Sequence, residues 1–323
     1  MNFEIKIKNI VKSQSKMNVA EIIEKVEKVN AELNYWFVRT NDGEYFNNFY
    51  DNNIIAIGWD YLTINEINNE TPGVIKSKIA KNEGLDINSN YGKSKITGIY
   101  NKIQTFISLK KDDIVLIPSK NSVKIAFGRV NESFVYEDSS VKEFIKRRKI
   151  DWIDIKLMNN LSPIFYQIKT NQHSISSIDK YYQHIDRVIG NLFKKGDNTH
   201  YVLNIEKTDD INFKELRILI DNIQILIDEI NNSLAFNEDT DQFYIKVNLQ
   251  SKGSLELIKS GKSLAIFAYL IFLASCKTLD SETDSEIKPI IDKTRLALDA
   301  TTTIIDSLKM NTDELIKPFK NGN

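Results

Sequence analysis

The stretch "NYWFVRTNDGEYFNNFYDNNIIAIGWD", Asn34 to Asp60, decides how the chain is read. Two apolar runs, Tyr35 to Arg39 and Ile54 to Trp59, have the length and residue types of strands. Between them Asp42-Gly43 is a turn signal, and "EYFNNFY" predicts a short helix. Each run carries one of the chain's three tryptophans, Trp36 and Trp59. Aromatics placed this way either fill a core or wall a pocket for a flat ligand. Their spacing alone leaves both readings open.

Downstream, residues 61–100 read as short helices and loops rich in lysine. "NKIQTFISL" predicts a helix leading into "KKDDIVLIPS", a turn followed by a strand at Ile114 to Ile117. "VKIAFGRV" and "SFVYED" predict further strands, and the segment after "VKEFIKRRKIDWIDIKLM" becomes helical from about Ser176. Upstream, "FEIKIKNI" at 3–10 alternates like a half-buried strand, and 17–33 repeats apolar residues at helical spacing. "KKGDNTH", 194–200, combines charge, Gly and Asn and reads as a domain boundary. After it come the strand "YVLNIEK", a helix over 212–233 and the strand "QFYIKVNLQ". An apolar helix over 254–276 with Ser254 at its cap and a last helix over about 286–310 complete the chain.

With 323 residues, 41% apolar and 27% charged, the chain fits two domains with real cores. A net charge of −1 does not advertise a polyanion binder, so any such site must be a local patch. A single cysteine, Cys276, excludes an internal disulfide framework and fits a reducing cytoplasm. The three histidines show no HExxH or HxH spacing, and there is no CxxC, so no metal site or cofactor is expected. The N-terminus lacks the apolar core of a signal peptide. "GKS" at 92–94 and 261–263 lacks the upstream glycine of a P-loop. "SLAIFAYLIFLASC", 263–276, is apolar all round but shorter than the ~20 residues that cross a bilayer. It reads as a buried core helix, with a membrane-acting effector as the alternative.

Taken together, Trp36 with Val38-Arg39, Gly43, and Ala56 to Trp59 form a pattern that continues downstream. Phe106, Lys111-Asp112-Asp113, Pro118, Gly128-Arg129-Val130, Trp152, Leu161, Thr170 and Tyr181 extend it. The pattern resembles the EVE-like, PUA-superfamily domain found at the N-terminus of Mrr-type restriction proteins. The glycine that usually precedes the aspartate of the turn is absent here. The resemblance covers about residues 34–190. It implies an α+β architecture, with a PUA/EVE-like small β-barrel and flanking helices over 34–195. A helix-rich α/β part follows over 200–323, joined by the strand and helix of 1–33.

The resemblance also implies a base held in an aromatic pocket, with Trp36 or Trp59 as wall and Arg39 beside it. A flipped base recovers lost stacking on such a face, worth about 1–3 kcal/mol. Candidate phosphate contacts are Lys93 and Lys95, from the lysine-rich 76–111 segment, and Arg147 and Arg148 of "IKRRK". The same basic cluster also reads as a solvated helix face. The function so implied is a nucleic-acid sensor, for DNA before RNA and for modified bases, in a bacterial restriction or antiviral defence setting. A Mg²⁺-dependent Mrr-like nuclease is the enzyme alternative, built on Asp154, Gln167 and Lys169. Pro163 interrupts the strand that such a nuclease requires. The C-terminal part is the expected surface for homo-oligomer or protein contacts.

Overall fold

The computed structural model describes residues 17–28, 33–205, 207, 209–239, 241–248, 253–279 and 284–310. In chain order these form α1 (Val19–Glu24), β1 (Glu27–Lys28), β2 (Tyr35–Val38), α2 (Phe46–Asp51), β3 (Ile54–Ile57), α3 (Ile64–Asn69), α4 (Pro72–Glu83) and α5 (Asn90–Ser108). Next come β4 (Ile114–Pro118), β5 (Lys124–Val130), β6 (Tyr136–Glu137), β7 (Lys146–Leu157), α6 (Ile164–Ile168), β8 (Ile175–Ser177) and α7 (Tyr182–Ile189). The chain continues with β9 (Leu192–Lys195), β10 (Asn198–Asn204), α8 (Phe213–Ser233), β11 (Phe243–Asn248), β12 (Ser254–Ser260), α9 (Ser263–Ser275) and α10 (Lys288–Ser307). The α+β chain divides into two units: Glu32–Ile189, and a split unit of Met1–Ala31 with Gly190–Asn323.

In the 32–189 unit the sheet order is β3-β7-β5-β4-β2-β8, with β6 added beside β7. The runs "YWFV", "IVLIP" and "KIAFG" are apolar on both faces because both faces are covered. Tyr35, Phe37, Ile114, Leu116, Ile125 and Phe127 point into one cluster, with Phe165, Ile168 and Ile185 of α6 and α7. Val38, Val115, Ile117 and Ala126 point into the other, with Phe46, Phe49 and Phe106. The twelve-residue β7 serves two partners: Lys146 to Lys149 pair with β3, and Ile150 to Leu157 with β5. Gly128 pairs with Trp152 while Phe127 pairs with Asp154, so Ile153 is an extra residue and the strand bends there. A Cβ on Gly128 would lie 2.6 Å from the Trp152 ring and 2.4 Å from Ile150 Cγ2. Glycine here lets the indole lie flat against the curling sheet.

Helices α3, α4 and α5 enclose a small core of their own, including Leu62, Ile67, Ile75, Ile79, Ile96, Ile99 and Ile103. Local signals explain their ends. Thr63 and Glu66 form a reciprocal capping box at α3, Pro72 opens α4, Gly84 closes it at φ 63°, and Ser89 caps α5. Glu66 also accepts a hydrogen bond from Lys78. That bond, then the Thr63 backbone N–H and hydroxyl, hold its carboxyl down to about 2. A folded-state value below the ordinary carboxylate value contributes stability that is full near neutrality and lost as pH falls from about 4.5 toward 2. The protection of the α3 amides, their exchange rate relative to the unstructured rate at the same pH, is therefore expected to fall over that window, and Glu66→Gln should remove that fall. Protection that stays constant with pH in the wild type would show that the box adds nothing.

In the split unit a sheet of order β1-β9-β10-β12-β11 packs one face against helices. Every residue from Ser263 to Leu273 of α9 is buried, enclosed by α1, α8, α10 and the sheet. Its uniform apolarity is the signature of a helix surrounded on all sides. Among the described residues no helix is long and apolar enough to cross a membrane.

Several sequence expectations change. The helix expected over 254–276 is a strand followed by a helix. Leu255 and Leu257 alternate into the core, and Gly261-Lys262 separates β12 from α9. The cap of α9 is not Ser254 but Glu238, which accepts from the Lys262 and Ser263 backbone N–H groups and the Ser263 hydroxyl. The helix expected over 17–33 stops at Glu24 and gives way to β1. "KKGDNTH" is no linker: Lys195 pairs with Asn198 across a two-residue turn, with Gly196 at φ 59°. Ser176 lies in a strand, so the helix after it begins at Tyr182. The strand expected at 3–10 lies outside the described residues.

Candidate functional site

A cleft of about 290 Å³ is lined by Arg39, Asn41, Asp42, Ala56 to Trp59, Phe144, Gln172 and Ser174. Arg39 follows β2 and Ser174 precedes β8, at one end of the strand order. Trp59 follows β3 and Phe144 precedes β7, at the other end. Residues from opposite ends of one sheet share a cleft only because the sheet curls into a half-barrel. The bend of β7 contributes to the curl. Gly43 sits at φ 93°, and a Cβ there would lie 2.1 Å from the Lys120 backbone nitrogen.

Four of the lining residues have left-handed backbones: Asn41 and Asp42 (φ 50°), Trp59 (φ 58°) and Phe144 (φ 55°). Asn and Asp tolerate this conformation, whereas bulky aromatics rarely adopt it. Each such residue costs on the order of 1–3 kcal/mol and persists only where its surroundings over-determine it. Those surroundings come from "IKRRK". Lys146, fully buried, donates from Nζ to the Trp59 carbonyl (3.0 Å), the Leu62 carbonyl (3.1 Å) and Asp60 (3.3 Å). Asp60 in turn accepts from the Phe144 (2.8 Å) and Ile145 (3.2 Å) backbone N–H groups. Arg147 Nε donates to the Phe144 carbonyl at 3.0 Å, and its Nη1 bonds Asp138 at 2.8 Å. One ion-pair cluster thus grips both aromatic walls. Burial pushes the Lys146 ammonium below its ordinary value, against the opposing pull of Asp60.

The walls are further stiffened from behind. Phe144 packs on Tyr45 at 4.4 Å between ring centroids and edge-on to Phe49 at 5.7 Å. Arg39, half-buried, is held by Asp42 Oδ1 at 3.0 Å, with its other terminal nitrogen 3.4 Å from the Lys169 carbonyl. Lys102 Nζ stands 5.9 Å from the Trp59 ring centroid. Burial first, then the nearby Lys95 charge, lowers its pKa.

Residues 35–179 match the model of a family described as a domain of unknown function, DUF8426. No curated protein and no solved structure matches the chain. Every residue lining the cleft lies inside the matched span.

The structure distributes the sequence candidates unevenly. Trp59 and Arg39 meet in the cleft; Trp36 does not line it. Trp36 is half-buried on the inner face of β2, with its indole N–H bonded to Asp113 at 3.0 Å. Asp113 also accepts from the Asn34 and Lys110 backbones, so the "KDD" turn and Trp36 form one structural knot. Arg147 and Arg148 are not phosphate contacts on a solvated helix face, because the segment is a strand and both side chains are buried. Arg148 instead caps the C-terminus of α5, donating to the Phe106 (2.9 Å) and Ile107 carbonyls and to Glu132 at 3.1 Å. Burial lowers its guanidinium to about 10. Lys93 and Lys95 are both exposed on α5, two residues and so roughly 200° apart around the helix.

Asp154 lies on β7 and forms an ion pair with Lys156 at 3.0 Å. Gln167 lies on the one-turn α6 and Lys169 at its C-cap, so the Gln-x-Lys element is helical and not a strand. Pro163 at the N-cap starts that helix. Among the described residues no three His, Cys, Asp or Glu side chains gather as a metal site would need. Phe144, Gln172 and Ser174 had no local signal; only strand pairing brings them to Trp59.

Proposed function

We propose that the 32–189 unit is a PUA/EVE-like nucleic-acid-binding module that holds one extruded base, a modified base of DNA foremost, between Trp59 and Phe144. In this reading the protein is a sensor rather than an enzyme, in a restriction or antiviral defence setting of the kind the resemblance implies. The observation that carries it is the pair of strained aromatics, gripped by a buried ion-pair cluster, at a cleft of about 290 Å³. That volume is at the lower end of small-molecule sites (~300–1,000 Å³) and suits one base rather than a dinucleotide. Strain of this kind concentrates at ligand clamps. The aromatics offer stacking, and Arg39, a pure donor, suits a carbonyl or ring-nitrogen acceptor on the base edge.

Arg39→Ala and Phe144→Ala are expected to weaken binding of an oligonucleotide carrying the preferred modified base by ten-fold or more. Trp59→Phe, which keeps an aromatic face, should retain most of the affinity. Fluorescence anisotropy over a panel of modified and unmodified strands reads the effect, with circular dichroism as the folding control. Folded Arg39→Ala and Phe144→Ala variants that bind every strand like wild type would sink the reading.

A further inference from the structure

We infer that one face of α5 is a track for a single-stranded segment adjoining the base in the cleft; this rests on the base-pocket reading and names its substrate class. The track is a ridge of alternating aromatic and cationic side chains. Tyr91, 67% exposed, lies under Lys95 Nζ at 5.7 Å from its ring centroid. Lys95 is close enough to Lys102 to depress its ammonium, and Lys102 stands over Trp59. Positions 91, 95, 98 and 102 recur at helical spacing, with Gly98 leaving open space between the two lysines.

Two features mark this ridge as more than a solvated surface. Neither Lys95 nor Lys102 has a carboxylate partner among the described residues, whereas Lys78 nearby is paired with Glu66. Two like charges on one ridge, two helical turns apart and one of them partly desolvated, are relieved by an anion. An exposed tyrosine then stands at one end and the cleft's tryptophan at the other. Phosphates on the lysines with a base on each aromatic is the arrangement that single strands use, since stacking platforms need bases already unstacked. The twelve residues from Tyr91 to Lys102 rise about 16 Å along the helix, room for a few nucleotides of single strand.

The test uses the full chain and an unmodified ten-nucleotide strand in which one central position is abasic, so that the cleft is offered no modified base. Wild type is expected to bind this probe, with log affinity falling linearly against log salt. The double variant Lys95→Ala/Lys102→Ala should reduce the magnitude of that slope by roughly 1.4, at about 0.7 per phosphate contact on a single strand. Tyr91→Ala should weaken binding at least five-fold, and Lys93→Ala, around the helix from the ridge, should change neither quantity. The same sequence as a blunt duplex should bind more weakly. An unchanged slope in the double variant, or a duplex bound as tightly as the single strand, overturns the track. A modified base restored at the abasic position reads the pocket separately: it should tighten binding to wild type and to the double variant by the same factor. Failure of the track, read from the slope, is thereby distinguished from failure of the pocket reading, read from the effect of the modified base.

Discussion

Phe267→Asp is expected to unfold the split unit. Phe267 is fully buried in α9, edge-on to Tyr201 with ring centroids 5.9 Å apart. Removing a buried phenyl costs about 3–5 kcal/mol before any charge is considered. The replacement carboxylate then has nowhere to be solvated. Tyr201 itself shows how hostile the site is to charge: burial alone pushes its phenol well above the ordinary value. Its hydroxyl, which has no hydrogen-bond partner among the described residues, is one neutral donor and does not offset a buried anion. The sum approaches the whole stability of a domain, ~5–15 kcal/mol. Urea titration followed by circular dichroism should show loss of the split unit's transition. The 32–189 unit should keep its own, since none of its clusters contains an α9 residue. A Phe267→Asp protein with both transitions intact would mean that α9 is not an enclosed core helix.

Lys146→Met should have the second largest effect, and it reaches the site. The substitution keeps a side chain of similar length but removes the ammonium that bonds Trp59, Asp60 and Leu62. Breaking one side of a buried pair costs about 3–5 kcal/mol. Asp60 remains a quarter exposed and can regain some water, so the lower end, about 3 kcal/mol, is expected. The positioning role has its own signature. With the grip gone, Trp59 and Phe144 are free to leave their left-handed conformations. Trp59 emission should shift and affinity for the base-bearing strand should drop, even under conditions where the variant is fully folded. Affinity for the abasic strand should persist. Wild-type stability together with wild-type base affinity would remove Lys146 from the account.

Much of the fold was written locally. The short helix in "EYFNNFY", the turn at Gly43, the strands at Ile54 and Ile114 and the helix over 212–233 all follow from period, turn chemistry and caps. The enclosed nature of 263–276 follows from apolarity without a polar stripe. Two of the misreadings share a cause. "SLELIKS" and "IKRRKIDWIDIKL" carry charges at positions that look like a helix's wet face, yet both are strands. Glu256, Lys259, Lys146 and Arg148 are buried, and the last three find partners far away in sequence: Glu238, Asp60 and the Phe106 carbonyl. Charge buried against a distant partner leaves no trace in a local pattern.

The chain by itself determined that Trp59 and Arg39 each stand at the end of a strand, and that Trp36 and Trp59 were the aromatics to weigh. Only the tertiary structure decided between them. Trp36 donates its N–H to Asp113 and edges a core. Trp59 turns left-handed into a cleft with Phe144, 85 residues onward in the sequence. Sequence period reports which face of an element meets apolar surroundings. Where two ends of a curled sheet come together depends on strand register and on the bend of β7. Those are set by long-range pairing, and no window of neighbouring residues contains them.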